Sequence, residues 1–206
     1  MPASVLAHLT ERTSNDCFSV LTKNGRGRAE AEAFIAQTFA HHYAAQITEF
    51  MPEIVALLRN GAVEAAAGCR SAAQGPLFLE QYLDAPIEAR IRQLAGQPTA
   101  RSSIVELGQL AASRPGAGVA LMLRLAHHLS SRGYAWVVFT ATAELRGIFV
   151  RLGLPLFALA EAAPERLGDQ AATWGRYYEH RPLVVCASLG EAAQRAVQAD
   201  GTENGR

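Results

Sequence analysis

The run from Ile104 to Leu159 constrains this chain more than any other. An apolar strand, Ile104–Ser113 (IVELGQLAAS), passes through Arg114-Pro-Gly-Ala-Gly118 into an amphipathic helix, and a second apolar strand, Trp136–Ala143 (WVVFTATA), follows directly. Strand, glycine turn, helix and strand in that order form one crossover unit. Such a unit presents backbone amides without intrahelical acceptors at a helix N-terminus, where phosphate groups bind. The first expectation is a phosphate-bearing ligand on Arg114–Gly118.

The remaining elements surround this unit. A strand at Phe18–Thr22 precedes a helix from Arg28 to about Gln46, in which Phe34, Ile35, Thr38, Phe39 and Ala45 recur at helical spacing. Pro52 breaks the chain, and Glu53–Leu58 and Val63–Cys69 read as a hairpin because Asn60-Gly61 tolerates the positive φ of a tight turn. The segment LFLEQYLDAPIEARIRQLAG is mostly helical, interrupted at Pro86, and forms a wall over one sheet edge. A short helix at Glu144–Leu152, a piece at Pro155–Ala160, a loop or helix through Trp174–Tyr178, a strand at Leu183–Ser188 and a helix at Glu191–Gln198 complete the order. A hairpin early and crossovers late predict an α/β fold with a mixed central sheet and helices on both faces. Residues 1–198 read as a single domain and residues 199–206 as a disordered polar tail.

Composition removes several partners. With 19 basic and 19 acidic residues the formal charge is zero, so no overall field draws the chain to nucleic acid or an anionic membrane. The start, MPASVLAHLTERTSND, lacks a basic region followed by an apolar core, and no apolar run approaches the roughly 18 residues of a spanning helix. The expectation is an unexported, cytoplasmic chain without stable membrane insertion. Cys17, Cys69 and Cys186 are far apart and without metal-ligand spacing, and read as free thiols in a reducing compartment. His41-His42 and His127-His128 fall on predicted helices with no matching ligand, so no metal site is expected. Oligomeric state is left open, a homodimer included.

The segment Leu110–Leu154 resembles the core of the GNAT acyltransferase fold, in which a (Gln/Arg)-x-x-Gly-x-(Gly/Ala) loop opens a helix and a short helix closes near Leu-Gly-Phe. Here Ser113-Arg-Pro-Gly116-Ala-Gly118 stands at the loop and Phe149-Val-Arg-Leu-Gly153-Leu154 at the close, with the basic residue one place late. Over Phe18–Ala187 the chain resembles the thermostable haemolysin family, itself GNAT-like. That resemblance is carried by Phe78-Leu-Glu80-Gln-Tyr82-Leu-Asp84-x-Pro86-Ile-Glu88, Val105-Glu106-Leu-Gly108-Gln-Leu-Ala-Ala-Ser, Trp136-Val-Val-Phe-Thr-Ala-Thr-x-x-Leu-Arg146 and Trp174-Gly-x-Tyr177-Tyr178. The family name describes a phenotype, not a reaction.

The resemblance implies a mixed sheet with two splayed strands, and an acyltransferase moving an acyl group from acyl-CoA or acyl carrier protein to a small acceptor, an amine by preference. No tightly bound cofactor is implied; the thioester is a co-substrate. Similarity to acyl-homoserine-lactone and N-acyl amino acid synthases gives the carrier protein near-equal weight as donor. Carried over by position, Leu110, Ala111 and Ala112 present backbone groups to pantetheine, and Ser113, Arg114, Gly116, Ala117 and Gly118 form the phosphate loop. The alternatives are a membrane-active haemolysin and a GNAT-like binding module without catalysis.

Acyl transfer to an amine needs a base, a stabiliser of the oxyanion and an acid for the departing thiol. Glu106 is a carboxylate in an apolar strand, where burial would raise its pKa as a base requires. Glu80, Tyr82 and Asp84 form a second polar group that cannot share one helical face, and in an irregular segment they could line an acceptor pocket. Glu80 and Tyr82 join Glu106 as candidate catalytic residues. Where many GNAT enzymes carry an acidic tyrosine this chain has Phe149, so Tyr177 or Tyr178 must substitute or the thiolate leaves unaided.

Overall fold

The computed structural model describes residues 16–96, 98–114 and 116–190. Seven strands form one sheet: β1 (Asp16–Leu21), β2 (Glu53–Arg59), β3 (Ala62–Ser71), β4 (Ile104–Ala112), β5 (Trp136–Ala141), β6 (Phe157–Glu161) and β7 (Leu183–Ser188), in the order β1-β2-β3-β4-β5-β7-β6. Four α-helices connect them: α1 (Arg28–Tyr43), α2 (Ile87–Ala95), α3 (Ala117–Ser131) and α4 (Ala143–Arg151). The expected mixed sheet is present. Among the neighbouring pairs β4 and β5 run parallel, because α3 carries the chain from the end of one back to the start of the other, and every other neighbouring pair is antiparallel.

Expected and observed elements differ at their ends. The segment after Gly75-Pro76 begins as a 3₁₀ turn, Phe78–Tyr82, and becomes α-helical only after Pro86, whose ring is compatible with a helix start but not with a helix interior. Residues 157–161 form a strand at the sheet edge, and the stretch before β7 is two 3₁₀ segments, Pro164–Trp174 and Tyr177–His180. The helix expected at Glu191–Gln198 and the tail at 199–206 lie outside the described residues.

Alternation along each strand sends successive side chains to opposite faces. On one face Val105, Phe139 and Val185 pack under Leu121, Leu125 and Leu129 of α3 and Phe149 of α4. On the other face there are two clusters. Ile104, Val138 and Val184 pack under Leu79, Ile87 and Ile91, while Ile54, Ala56, Ala66 and Ala111 pack under Ile35 and Phe39 of α1. Trp174 and Tyr178 touch both clusters and close the seam between them. Arg28 is buried at the start of α1, where it donates to the carbonyls of Leu21 (3.2 Å), Met51 (2.7 Å) and Pro52 (3.1 Å) and pairs with Glu32 (2.6 Å). One guanidinium therefore ties the end of β1 and the loop before β2 to α1.

Candidate active site

The parallel pair opens partway along its length. Its register runs Ile104–Trp136, Val105–Val137, Glu106–Val138 and Leu107–Phe139, and stops there, while β5 continues against β7 to Ala141–Leu183. On its other side β4 keeps pairing with β3 to Ala112–Ala65. The cause is a bulge: Gln109 and Leu110 together oppose the single residue Ala67, and Gln109 has φ 56°. An extra residue bends the strand that carries it. Gly108–Ala112 thus has one edge paired with β3 and the edge toward β5 unpaired, so the backbone of Leu110, Ala111 and Ala112 borders a V-shaped opening.

The glycine turn lies at the end of that strand. Gly116 caps α3 with φ 89°, and the amide of Ala120 is the first to bond back along the helix, to the Gly116 carbonyl at 2.9 Å. First-turn amides have no intrahelical acceptor. Two of the expected phosphate contacts are already engaged. The amide of Ala117 donates to the Arg114 carbonyl at 3.2 Å, and the Arg114 guanidinium pairs with Glu64 at 2.8 Å. Ser113 donates from both its amide (2.8 Å) and its hydroxyl (3.1 Å) to the Glu64 carbonyl, which ties the turn to β3. Gly118 has room for a side chain on the protein side, where an added Cβ would meet the Ala112 Cβ at an ordinary 3.5 Å.

Below the opening sits Glu106, 2% exposed. Its two carboxylate oxygens accept from the amides of Phe78 (3.0 Å) and Leu79 (2.8 Å), at the start of the 3₁₀ turn. Burial pushes this carboxyl up to about 7, the two amides and the neighbouring Arg70 opposing the rise. Arg70 is the cross-strand partner of Glu106, yet its guanidinium turns to the Pro76 carbonyl at 3.4 Å.

Glu80 is arranged differently. It accepts from the amides of Leu77 (2.7 Å) and Ile87 (2.9 Å) and from both terminal nitrogens of Arg101 (2.7 and 3.0 Å). Partial burial raises its pKa, but the Arg101 hydrogen bond and the two amides outweigh that and hold it at about 2. Glu80 is therefore ionised at every physiological pH, and it staples the turn whose amides hold Glu106. Arg101 also pairs with Glu88 at 2.6 Å and donates to the Ala72 (3.0 Å) and Gly75 (2.9 Å) carbonyls. Asp84 faces away to Arg166. The polar group Glu80–Asp84 is thus split among three partners.

Tyr82 meets Tyr178 hydroxyl to hydroxyl at 2.7 Å. Burial first, and then that hydrogen bond, raises the Tyr82 pKa, and burial raises those of Tyr177 and Tyr178. Tyr177 lies in a ring of aromatics, with Tyr43 edge-on at 5.2 Å and Trp174 at 5.5 Å, and its hydroxyl reaches the Thr140 carbonyl at 3.4 Å. That carbonyl belongs to the part of β5 that β4 has left. Phe149, where a tyrosine was sought, is buried on the opposite face against Phe139 at 5.4 Å. Burial lifts the Cys69 and Cys186 thiols to about 12, leaving both as packing groups. Among the described residues no group of three or more His, Cys, Asp or Glu is placed to hold a metal ion.

Two side chains at this site carry no sequence signal as functional residues: Met51, which lies over Gly68 and Gly108, and Gln109, whose left-handed backbone makes the bulge. Gln109 reads only as one polar residue between Gly108 and Leu110 of an apolar strand, and Met51 reads only as the residue before a proline.

A family model described as thermostable hemolysin matches residues 21–193. A search of curated proteins by sequence finds no match. Among solved structures, FeeM, an N-acyl amino acid synthase from uncultured soil microbes, is similar with TM-score 0.63 and 13% identity, covering 90% of this chain and 97% of its own. The AHL synthase LasI is similar with TM-score 0.58 and 12% identity over 84% and 90% of the two chains. The CoA-dependent acyl-homoserine lactone synthase MesI is similar with TM-score 0.55 and 15% identity over 90% and 95%. These likenesses establish a shared GNAT-like fold.

Proposed function

The chain belongs to the thermostable hemolysin family, and from that premise we propose that it is an acyltransferase, moving an acyl group from a coenzyme A or carrier-protein thioester to an amine. One observation carries this reading: the β4–β5 register ends at Leu107–Phe139, directly above a buried carboxylate whose pKa is raised to about 7. The three proteins of like fold are described as an AHL synthase, an N-acyl amino acid synthase and a CoA-dependent acyl-homoserine lactone synthase, which supports the reading at the level of fold.

In the proposed reaction the pantetheine arm lies along the unpaired edge of Gly108–Ala112, and the phosphates meet the first-turn amides of α3, among them Gly118. Arg114 then serves by leaving Glu64 for the donor, or by holding the turn in place through that ion pair. The amine attacks the thioester carbonyl, forming a C–N bond as the C–S bond breaks. Glu106 accepts the amine proton, directly or through one water, and Tyr177, at the β5 side of the opening, offers a hydrogen bond to the departing thiolate, which takes its proton from solvent. Glu80 acts through the Phe78–Leu79 turn as a positioning residue, and Tyr82 does so through Tyr178. The test is mass spectrometry of the purified protein with a panel of acyl-CoA and acyl-carrier thioesters and primary amines. Acylated amine together with free thiol supports the proposal, and neither product with any donor defeats it.

Gly118→Val is expected to raise the donor dissociation constant at least about tenfold with the fold retained, since the branched side chain would stand at the N-terminus of α3 where a phosphate approaches the backbone. Calorimetric titration with coenzyme A and with holo carrier protein measures it. An unchanged constant for both removes the phosphate role from the turn.

The family description names haemolysis, which raises a second reading, direct membrane lysis. Among the described residues no helix is long and apolar enough to cross a membrane, and the apolar stripe of α3 is spent on the sheet through Leu121, Leu125 and Leu129. Purified protein without a thioester is therefore expected not to release dye from neutral or anionic vesicles. Rapid leakage at submicromolar protein would replace the enzyme reading with a direct lysin.

A further inference from the structure

Gly68 of β3 and Gly108 of β4 face each other across the sheet, and the side chain of Met51 lies flat over both. A Cβ added at Gly68 would come within 2.8 Å of the Met51 Cβ and 2.9 Å of its Cγ, and one added at Gly108 within 2.5 Å of its terminal methyl. The two glycines are therefore a floor that only this methionine fills.

The position of the floor gives it meaning. Gly108 is the first residue past the last β4–β5 pair, and Glu106 is two residues earlier on the same strand, roughly 7 Å away. The methyl group of Met51 thus lies over the residue at which the strands part, two residues along β4 from the carboxylate that would take the amine proton.

The main chain under Met51 is held at several points. Its carbonyl accepts from Arg28 at 2.7 Å, the Glu49 carbonyl accepts from Gln109 at 2.7 Å, and the Gln46 amide donates to Thr173 at 2.7 Å. The side chain is half-buried, unbranched, and free of any such tether. A fixed backbone carrying a flexible apolar side chain is suited to filling a space when it is empty and yielding it when it is occupied. Ile47 and Phe50, on the segment that carries Met51, pack against the same core cluster as Trp174 and Tyr178, so that segment is seated among apolar and aromatic groups.

We propose that Met51 sets the size of the acceptor: the glycine floor beneath it is the seat for the body of the amine, which belongs to the class of primary amines bearing an apolar or aromatic group. This rests on the acyltransferase reading above for the chemistry, but not for the seat.

The experiment has an arm that needs no turnover. The chain has three methionines, Met1, Met51 and Met122, so methyl-¹³C methionine labelling gives few resonances, assigned with Met51→Leu and Met122→Leu. Titration with ethylamine, isoamylamine and tryptamine is expected to move the Met51 methyl most with tryptamine, by the ring current of the indole, and to leave Met122 in place. In turnover with a fixed thioester, Met51→Ala is expected to shift the kcat/KM ratio of tryptamine over ethylamine upward at least tenfold, and Met51→Phe to shift it downward. A Met51 methyl unmoved by millimolar amine overturns the seat, as does an active Met51→Ala enzyme with unchanged selectivity. A chain that acylates no amine, yet whose Met51 methyl moves with tryptamine, keeps the seat and overturns the acyltransferase reading instead.

Discussion

Replacing Glu106 with Gln is expected to lower turnover about 10²-fold, the usual worth of a positioned general base, with donor affinity unchanged. The substitution keeps the shape and removes the ionisable group. It also places an NH₂ against one of the two amides that the carboxylate now accepts, at Phe78 and Leu79, so some loss of stability is expected as well. The pH profile separates the two effects. In the wild type kcat/KM should rise with pH through about 7, as the carboxyl ionises, and in Glu106→Gln the residual rate should lose that limb. Steady-state kinetics from pH 5 to 9 decides the matter, and a wild-type limb retained by the variant would assign the base elsewhere.

Stability should move in the opposite direction across the same window. The folded carboxyl is raised to about 7, above its value of about 4.3 in an unfolded chain. A group raised in the native state contributes stability that is complete below the unfolded pKa and is lost as pH rises through the folded one. As pH rises between those two values, Glu106 is therefore expected to make the chain less stable while it raises activity on the proposed reading. An isosteric apolar residue would carry no such penalty, so chemical unfolding of the wild type and Glu106→Gln at pH 5 and pH 8 should show the variant losing this pH dependence.

Much of this arrangement was legible in the sequence, and the reasons are local. The strand from Ile104, the glycine turn and α3 are encoded within a few dozen contiguous residues, by apolar runs and by glycines that no strand or helix interior favours. Glu106 stood out because a carboxylate interrupts that apolar strand. What holds Glu106 was not legible. The amides of Phe78 and Leu79 come from 28 and 27 residues away and look like any other backbone. For the same reason Glu80 reads as a catalytic candidate from composition, yet in the fold it is consumed by Arg101, Leu77 and Ile87, partners that periodicity does not bring together. The bulge at Gln109 was hidden too, because a left-handed φ there is imposed by pairing with β3 and not by a residue that prefers it.

The largest loss of stability is expected from Gly175→Ala, a change of one methyl group. Gly175 has φ 54° and ψ −122°, a conformation that side chains strongly disfavour. A Cβ there would meet the Tyr43 carbonyl oxygen at 2.3 Å, the Ala44 carbonyl oxygen at 2.7 Å and the Ala44 carbonyl carbon at 2.8 Å. These are backbone atoms at the end of α1, and they are pinned. The amide of Arg176 donates to the Tyr43 carbonyl at 2.7 Å, and the Gln46 amide donates to the Thr173 carbonyl at 2.7 Å. Neither side can yield without breaking the stitch between α1 and the 173–178 segment. The cost should be about 3–5 kcal/mol, where strain at a glycine-only conformation and a clash with fixed backbone add, and the midpoint of thermal unfolding should fall by roughly 10 °C or more. Because Trp174, Tyr177 and Tyr178 hang on this stitch, any remaining folded protein should also lose the Tyr82–Tyr178 hydroxyl pair, and with it turnover. Gly133→Ala is the control: φ there is also positive, at 84°, but nothing lies within 4 Å of an added Cβ, so only about 1 kcal/mol of backbone strain applies. Calorimetric unfolding of both variants tests the argument. Equal, small losses would mean that the segment after Trp174 repacks freely and that the seam closed by Trp174 and Tyr178 is not built on this glycine.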